Sequence, residues 1–221
     1  MRRIVYCMIA ALPLISCGSK SSDNYEEEDE STTTEEVASS CVGGRENVKA
    51  VDLGLSVLWA DRNVGANSPE DYGDYYAWGE TSTKSNYDRD TYQYYDGSNC
   101  TNIGSNIAGT RYDVARQKWG GGWKIPTMAQ WEELIDRCTW TWTTEGGHSG
   151  YKVTGPNGNS IFLPAAGASS YGVGSYGDYW SSTLDGSDTD RAWYLYFGSG
   201  VYDMENFYRY DGNTVRPVTE K

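Results

Sequence analysis

Histidine is nearly absent from this 221-residue chain, which contains only His148. A single histidine cannot form a multi-histidine metal centre, and the glycine-rich stretch TEGGHSG offers nothing that would hold its tautomer for nucleophilic catalysis. Cysteine is sparse as well: Cys41, Cys100 and Cys138 follow Cys17. Their separations of 59 and 38 residues exclude a compact CxxC metal site, and three cysteines allow at most one disulfide within the chain. We therefore predict that the protein is not an enzyme and needs no cofactor.

The chain also lacks an apolar run of the roughly 20 residues that would span a bilayer. Its one apolar stretch, residues 4–15, follows Arg2 and Arg3. The stretch leads into Ser16 and Cys17, so that residues 14–17 read LISC. A short basic region followed by such a stretch is typical of a secretory signal. The ending resembles the lipobox of bacterial lipoproteins, in which the cysteine becomes the lipidated first residue. We predict a signal peptide at residues 1–16 and lipidation at Cys17; the alternative is an ordinary cleaved signal in which Cys17 is incidental.

Apolar side chains are scarce in the next segment, residues 17–40, which carries eight acidic residues and one lysine. Such a segment cannot bury enough surface to offset its ordering entropy, so we predict a disordered acidic tether. Acidic residues soon after a lipidated cysteine resemble the export signal of surface-displayed Bacteroidetes lipoproteins. This resemblance implies an outer-membrane lipoprotein exposed at the cell surface.

Positive charge is in the minority throughout, and residues 41–221 hold 23 acidic and 15 basic residues. An acidic surface argues against nucleic acid as a partner, and it leaves the lipid anchor as the only contact with a membrane. The length of this segment is suited to a single domain with a sizeable core. We therefore predict one domain over residues 41–221.

The order of the predicted elements indicates an α+β fold. Two short strands flank Gly54, and residues 74–81 are a third strand candidate, followed by a long loop over residues 82–108. Two helices come next, the first beginning near Asp113 and the second at the capping box of Thr127 and Gln130. A hairpin over residues 151–167 and strands near residues 179–180, 193–197 and 214–218 complete the chain. Strands followed by helices and then by more strands predict an antiparallel sheet with two helices.

Four stretches carry a resemblance to a known family: VDLGLSVLWADRNVGANSPEDYGDYYAWGE, WGGGWKIPTMAQWEELIDRCTWTW, GYKVTGPNGNSIFLPAAG and YWSST…YLYF…VRPV. Together they resemble the Fibrobacter succinogenes major paralogous domain over essentially all of residues 48–218. The resemblance implies a C-type-lectin-like fold related to formylglycine-generating domains, with twisted antiparallel sheets, two helices and long ordered loops. Members often carry a cysteine in the segment that here spans residues 59–63. This chain has none there, which implies that Cys138 lacks its customary partner.

Calcium is the one cofactor that the loops suggest. The segment LDGSDTDRA places Asp185, Asp188 and Asp190 close together, as hard oxygen ligands require. The spacing is not that of an EF-hand, so a polar surface loop is the favoured interpretation, and these three residues remain the only metal candidates.

Tyrosine, in contrast, is abundant, and 17 of the 19 tyrosines follow Glu70. In the segment 193–197, Trp193, Leu195 and Phe197 can face the core, which leaves Tyr194 and Tyr196 on the opposite face. Tyrosine provides contact area at little entropic cost, and Asp and Asn provide adaptable hydrogen bonds. The predicted ligand-binding residues are Tyr194, Tyr196, Tyr202, Asp203, Asn206, Tyr208, Arg209, Tyr210 and Asn213. We expect the tyrosines and Arg209 to be exposed, and Trp59, Trp123, Trp131, Trp180 and Trp193 to be buried as scaffold.

The composition of this C-terminal segment predicts a surface lipoprotein that binds a glycan or a protein without catalysis. An aromatic ladder that only stabilises the sheet is the simpler alternative. A structural or adhesin subunit that self-associates is the alternative from another functional class. The prevalence of Tyr, Asn, Asp, Ser and Gly between residues 181 and 213 also resembles ligand-binding proteins diversified by retroelements, which randomise adenine-containing codons near the C-terminus.

Overall fold

The computed structural model describes residues 48–169 and 171–221. The predicted signal peptide, Cys17, the acidic tether and Cys41 lie outside these residues. The described elements are β1 (Ala50–Asp52), β2 (Leu58–Ala60), a 3-10 turn (Arg89–Thr91), α1 (Val114–Trp119), α2 (Met128–Arg137), β3 (Thr139–Glu145), β4 (His148–Thr154), β5 (Ser160–Pro164), β6 (Tyr176–Leu184), β7 (Arg191–Gly198), β8 (Val201–Tyr208) and β9 (Val218–Thr219). Neither helix has the length and apolarity needed to cross a bilayer.

The strands form three small antiparallel sheets. Sheet 1 has the order β1-β2-β9, so the last strand pairs with the second, and Trp59 lies opposite Val218. Sheet 2 is the meander β3-β4-β5, and sheet 3 is the meander β6-β7-β8. Mostly antiparallel strands with two helices confirm the predicted α+β class.

Both helices begin where their caps predict. The carboxylate of Asp113 accepts hydrogen bonds from the backbone N–H groups of Ala115 and Arg116, which satisfies donors that the first turn of α1 leaves free. In α2, Thr127 and Gln130 form the reciprocal capping box. The face of α2 that carries Trp131 and Leu134 is buried.

Two hydrophobic cores lie on the two sides of sheet 3. The first contains Tyr179, Leu195 and Phe197 together with Trp131 from α2 and strands of sheets 1 and 2. The second contains Trp180 and Tyr194 on the other side of the same strands, with α1 and residues 76–78 packed against them. We call the side of sheet 3 that carries Tyr179, Leu195 and Phe197 the inner face. The side that carries Asp178, Tyr194 and Tyr196 is the outer face. A sheet covered on both sides leaves only part of its outer face open to solvent.

Three sequence expectations are wrong in the fold. Residues 74–81 do not form a strand; they contribute only an isolated bridge from Tyr76 to Asn213. Strand β3, with its sequence TWTWTTE, was not among the predicted elements, because it follows α2 with no turn signal between them. Residues 214–218 form bridges and the short β9 rather than a full strand.

The expected scaffold residues are buried in part. Trp59, Trp131 and Trp180 are fully buried, whereas Trp123 and Trp193 are partly exposed. Within the described part of the chain, the thiols of Cys100 and Cys138 form no disulfide. The fully buried Arg216 joins sheets 1 and 2, because its guanidinium donates to the carbonyl oxygen of Ala60 in β2 at 3.2 Å and to that of Phe162 in β5 at 2.8 Å.

Candidate functional site

The nine predicted ligand-binding residues do not share one surface. On β7 and β8, directly opposed residues project to the same face, and the register pairs Tyr196 with Asp203 on the outer face. The same register pairs Phe197 with Tyr202, which places Tyr202 on the inner face. Asn206 and Tyr208 lie opposite Trp193 and Arg191 and therefore also project to the inner side. The prediction of a single tyrosine-rich face is wrong.

Arg209 is a structural residue rather than an exposed one, since only 1% of it is accessible. Its guanidinium donates to the hydroxyl of Tyr92 at 3.0 Å and to the carbonyl oxygens of Thr101 and Thr189 at 3.1 and 3.0 Å. It also lies 4.9 Å from the centroid of the Trp78 ring. Arg209 therefore ties the long loop that follows Trp78 to the C-terminal strands, and the expectation that it is exposed is wrong.

Tyr194 and Asn213 are buried as well, with 8% and 1% exposure. Tyr194 packs in the second core, edge-on to Trp180. The backbone of Asn213 pairs with Tyr76 in both directions, at 2.9 and 3.2 Å. The expected exposure of Tyr194 is therefore also wrong, because the long loop and α1 cover the part of the outer face where it lies.

Three other predicted tyrosines, Tyr202, Tyr208 and Tyr210, stack on neighbouring aromatic rings, and Tyr202 and Tyr208 project to the inner side of the sheet. Tyr202 stacks on Trp140 with ring centroids 4.6 Å apart. Tyr208 stacks on Tyr210 at 5.0 Å, and the guanidinium of Arg191 lies 4.6 Å from the centroid of the Tyr208 ring. Arg191 also donates to Asn206 Oδ1 at 3.1 Å, so Asn206, Tyr208 and Tyr210 form a half-buried ladder, whereas Tyr202 is 36% exposed, as expected. This is the sheet-stabilising arrangement that the sequence left open as an alternative.

The three calcium candidates direct their oxygens at neighbouring protein groups. Asp185 accepts from the N–H and hydroxyl of Ser187 at 2.8 and 2.7 Å. Asp188 accepts from the N–H of Asp190 and pairs with Arg191, and Asp190 itself accepts from the N–H of Cys100. Within residues 48–169 and 171–221, no three acidic, histidine or cysteine side chains come together as a metal site. Among the described residues, the candidates Asp185, Asp188 and Asp190 are therefore not grouped as calcium ligands.

A different group of side chains stands out on the outer face. Asp178 is the third residue of β6 and is only 1% exposed, yet among the described residues neither of its carboxylate oxygens has a hydrogen-bond partner. One oxygen of the half-buried Asp211 and the side-chain nitrogen of Asn213 are likewise buried without a partner. Buried polar groups are nearly always paired, so several unpaired atoms in one place need an explanation. We call Asp178, Asp211, Tyr171, Tyr194 and Tyr196 the Asp178 cluster.

The electrostatics of this cluster are those of desolvated acids. Burial, together with the charge of Asp211, raises the pKa of Asp178 to about 7. Burial raises the pKa of Asp211 to about 6. Burial and then the charge of Asp178 raise the pKa of Tyr194, and burial followed by the charges of Asp178 and Asp211 raises the pKa of Tyr171. The cluster is therefore a region of negative potential.

The rim of the cluster is open to solvent. Tyr171 and Tyr176 are 49% and 41% exposed, and the Tyr176 and Tyr196 rings stack with centroids 5.7 Å apart. Asp203 and Glu205 lie exposed on the same face, opposite Tyr196 and Tyr194. Two flat rings beside a partly sheltered acidic floor can contact a ligand and accept hydrogen bonds from it.

The sequence prediction does not include Asp178, Tyr171 or Tyr176, although a signal for the first was present. Asp178 is a single charge in the otherwise uncharged segment YGDYWSST, and a charge within a buried strand is unusual. Tyr171 reaches the cluster because the bridge between Gly167 and Gly177 brings its loop alongside β6, and Tyr176 is the first residue of β6 itself. Only the tertiary structure shows that pairing.

No family model, curated protein or solved structure matches this chain.

Proposed function

We propose that this chain is a cell-surface lipoprotein whose folded domain binds a ligand and performs no catalysis. Lipidation at Cys17 anchors it to the outer membrane, and the acidic segment 17–40 holds the domain away from the bilayer. The domain, residues 41–221, has a C-type-lectin-like fold, as its resemblance to the Fibrobacter succinogenes major paralogous domain implies. Its ligand is a protein or a glycan.

The observation that carries this proposal is a pair of acids, Asp178 and Asp211, that lie beneath exposed tyrosines and have buried carboxylate oxygens with no partner among the described residues. A buried carboxylate without a partner destabilises the folded state, so folding alone does not favour Asp178 in β6. Proteins retain such locally unfavourable groups at functional sites, where a ligand supplies the missing partner. The exposed ring pair of Tyr176 and Tyr196 lies on the same side of the sheet. The proposed binding surface is therefore the outer face rather than the whole tyrosine-rich C-terminus.

The experiment is a binding screen with full-length protein that carries Cys17→Ala, so that no lipid is attached. Glycan and protein arrays identify a ligand, and the Tyr196→Ala variant is then measured against it. We expect a loss of affinity of about tenfold or more, since exposed tyrosines are frequent hot spots. Tyr208→Ala is the matched control, because Tyr208 lies on the same sheet but projects to the inner side.

Two outcomes would contradict the proposal. Equal losses of ligand affinity in Tyr196→Ala and Tyr208→Ala would show that the outer face has no special role in binding. Blank arrays together with concentration-dependent self-association in sedimentation would indicate the structural or adhesin subunit instead.

A further inference from the structure

The chain path brings the unpaired groups of the outer face together. A parallel bridge joins Tyr179 to Thr214, and the N–H of Thr214 donates to the carbonyl oxygen of Asp178 at 3.1 Å. Because side chains alternate along extended backbone, the preceding residues Asp178 and Asn213 both project away from the inner face. Asp211 lies two residues before Asn213, in a turn closed by its N–H and the carbonyl oxygen of Tyr208. Two acids and one amide therefore meet at the same edge of β6.

The chain does not supply a cation to these acids from its C-terminal region. Between Lys152 and Lys221 the sequence has three basic residues, Arg191, Arg209 and Arg216. Arg191 pairs with Asp188 on the inner side, Arg209 holds the long loop, and Arg216 joins sheets 1 and 2. Within the described residues, no ion pair involves Asp178 or Asp211.

The donor set favours an organic cation over a metal ion. Calcium takes about six to eight oxygen ligands, whereas the unpaired atoms of this described part of the chain are oxygens of two carboxylates and the amide nitrogen of Asn213, which is a donor and not a metal ligand. Tyrosine rings, in contrast, attract ammonium and guanidinium groups through their negative faces. A neutral hydroxyl group of a ligand would donate a hydrogen bond to a carboxylate oxygen, but it would leave the buried negative charge uncompensated.

We infer that Asp178 and Asp211, with Tyr171 and Tyr196, bind the ammonium or guanidinium group of a lysine or arginine side chain on a protein ligand. This inference rests on the proposed function and specifies the ligand chemistry of the same surface. The bound cation supplies the partner that Asp178 lacks within the described residues, and the tyrosine rings enclose the alkyl part of the side chain. Asp203 and Glu205 at the rim add longer-range attraction for a basic segment.

The test uses the full-length Cys17→Ala protein and a matched pair of probes. One probe is a short acetylated, amidated peptide with a central lysine, and the other has norleucine at that position. We expect the lysine peptide to bind at least tenfold more tightly at pH 7.5. Asp178→Asn and Asp211→Asn should each remove that difference, while Glu132→Gln on the exposed side of α2 should leave it unchanged.

Proton linkage gives a second readout that a structural role would not produce. A cation favours the ionised form of Asp178, so binding below pH 7 must release a proton. The association constant for the lysine peptide should therefore rise by about tenfold per pH unit near pH 6.5, more steeply toward pH 5 because Asp211 is then protonated as well, and level off above pH 7. In Asp178→Asn this dependence should be greatly reduced. In addition to Asp211, Asp178 interacts with four tyrosines of neighbouring elements: Tyr75, Tyr171, Tyr194 and Tyr196. The raised pKa values of these tyrosines keep them protonated over this pH range.

Three results would overturn the inference while leaving the proposed function intact. The first is equal binding of the lysine and norleucine peptides. The second is that a neutral glycan identified on the arrays binds the parent protein but not Asp178→Asn, while the lysine peptide does not bind the parent. The third is stoichiometric calcium binding that Asp178→Asn abolishes, which would make the cluster a metal site. If the arrays also show no ligand, both the inference and the proposed function fail.

Discussion

Replacing Asp178 with asparagine should make the protein more stable at neutral pH. The pKa of Asp178 in the folded state is about 7, and the ordinary value in an unfolded chain is about 3.9. Between these values the folded state holds a proton that the unfolded state has released, so stability falls as pH rises from about 4 to about 7. A difference of about three pKa units corresponds to about 4 kcal/mol lost across this window.

Asparagine keeps the shape of the side chain and carries no charge at any of these pH values. It still places a buried amide where Asp178 finds no partner, which costs about 1–3 kcal/mol. The variant should therefore be about 1–3 kcal/mol more stable than the parent at pH 8 and equal or less stable at pH 4. The two stability curves should cross between these values, because only the parent loses stability through ionisation of Asp178.

Urea unfolding monitored by tryptophan fluorescence at pH 4, 5, 6, 7 and 8 measures both curves. The difference between parent and variant cancels the other titrating groups, apart from the coupling of Asp178 to Asp211. Asp136→Asn, on the exposed side of α2, is the control and should give a curve parallel to that of the parent. The reasoning is refuted if Asp178→Asn also runs parallel to the parent, because Asp178 would then have a partner that stabilises its charge.

Three further predictions test the assignments of single residues. Arg209→Met should destabilise the fold by on the order of 3 kcal/mol, because it removes three hydrogen bonds of a buried side chain. The control Arg89→Met changes an exposed residue and should cost less than about 1 kcal/mol. Similar urea unfolding midpoints for the two variants would contradict the structural role of Arg209. Tyr202→Ala should lower the free energy of unfolding by about 1–2 kcal/mol through loss of stacking on Trp140, and it should leave ligand affinity unchanged. A loss of affinity in titrations with the array-identified ligand would show that Tyr202 belongs to the binding surface. Cys17→Ala should abolish palmitate labelling and release the protein from the membrane fraction, and continued labelling would show that the lipobox interpretation is wrong.

The cores and caps were predictable because they depend on local chemistry. The capping box of Thr127 and Gln130 appears in the sequence as two residues three positions apart, and it forms as expected. Burial of Trp131 follows from its place on the apolar side of α2. The short apolar strands around Gly54 pair as expected, because the glycine permits the positive φ of 77° at the turn.

The location of the site was not predictable in the same way. Alternation along β7 correctly separates Leu195 from Tyr194, but it does not show that the outer face is covered by residues distant in sequence. Tyr194 is buried there because α1 and the segment around Trp78 pack against it. The composition of the C-terminal segment therefore indicated a binding surface but selected several residues that serve the fold.

The sequence by itself determined the α+β class, the two helices and the antiparallel pairing, because caps, turn glycines and side-chain periodicity act over a few residues. Tertiary structure alone decided which polar groups have partners. Asp178 and Asp211 are 33 positions apart, and the burial of Asp178 and the partial burial of Asp211 arise only when the bridge at Thr214 and the loop that carries Tyr171 pack against β6. Desolvation is a property of the packed molecule, so no local pattern could have shown that Arg209 is satisfied while Asp178 has no partner among the described residues.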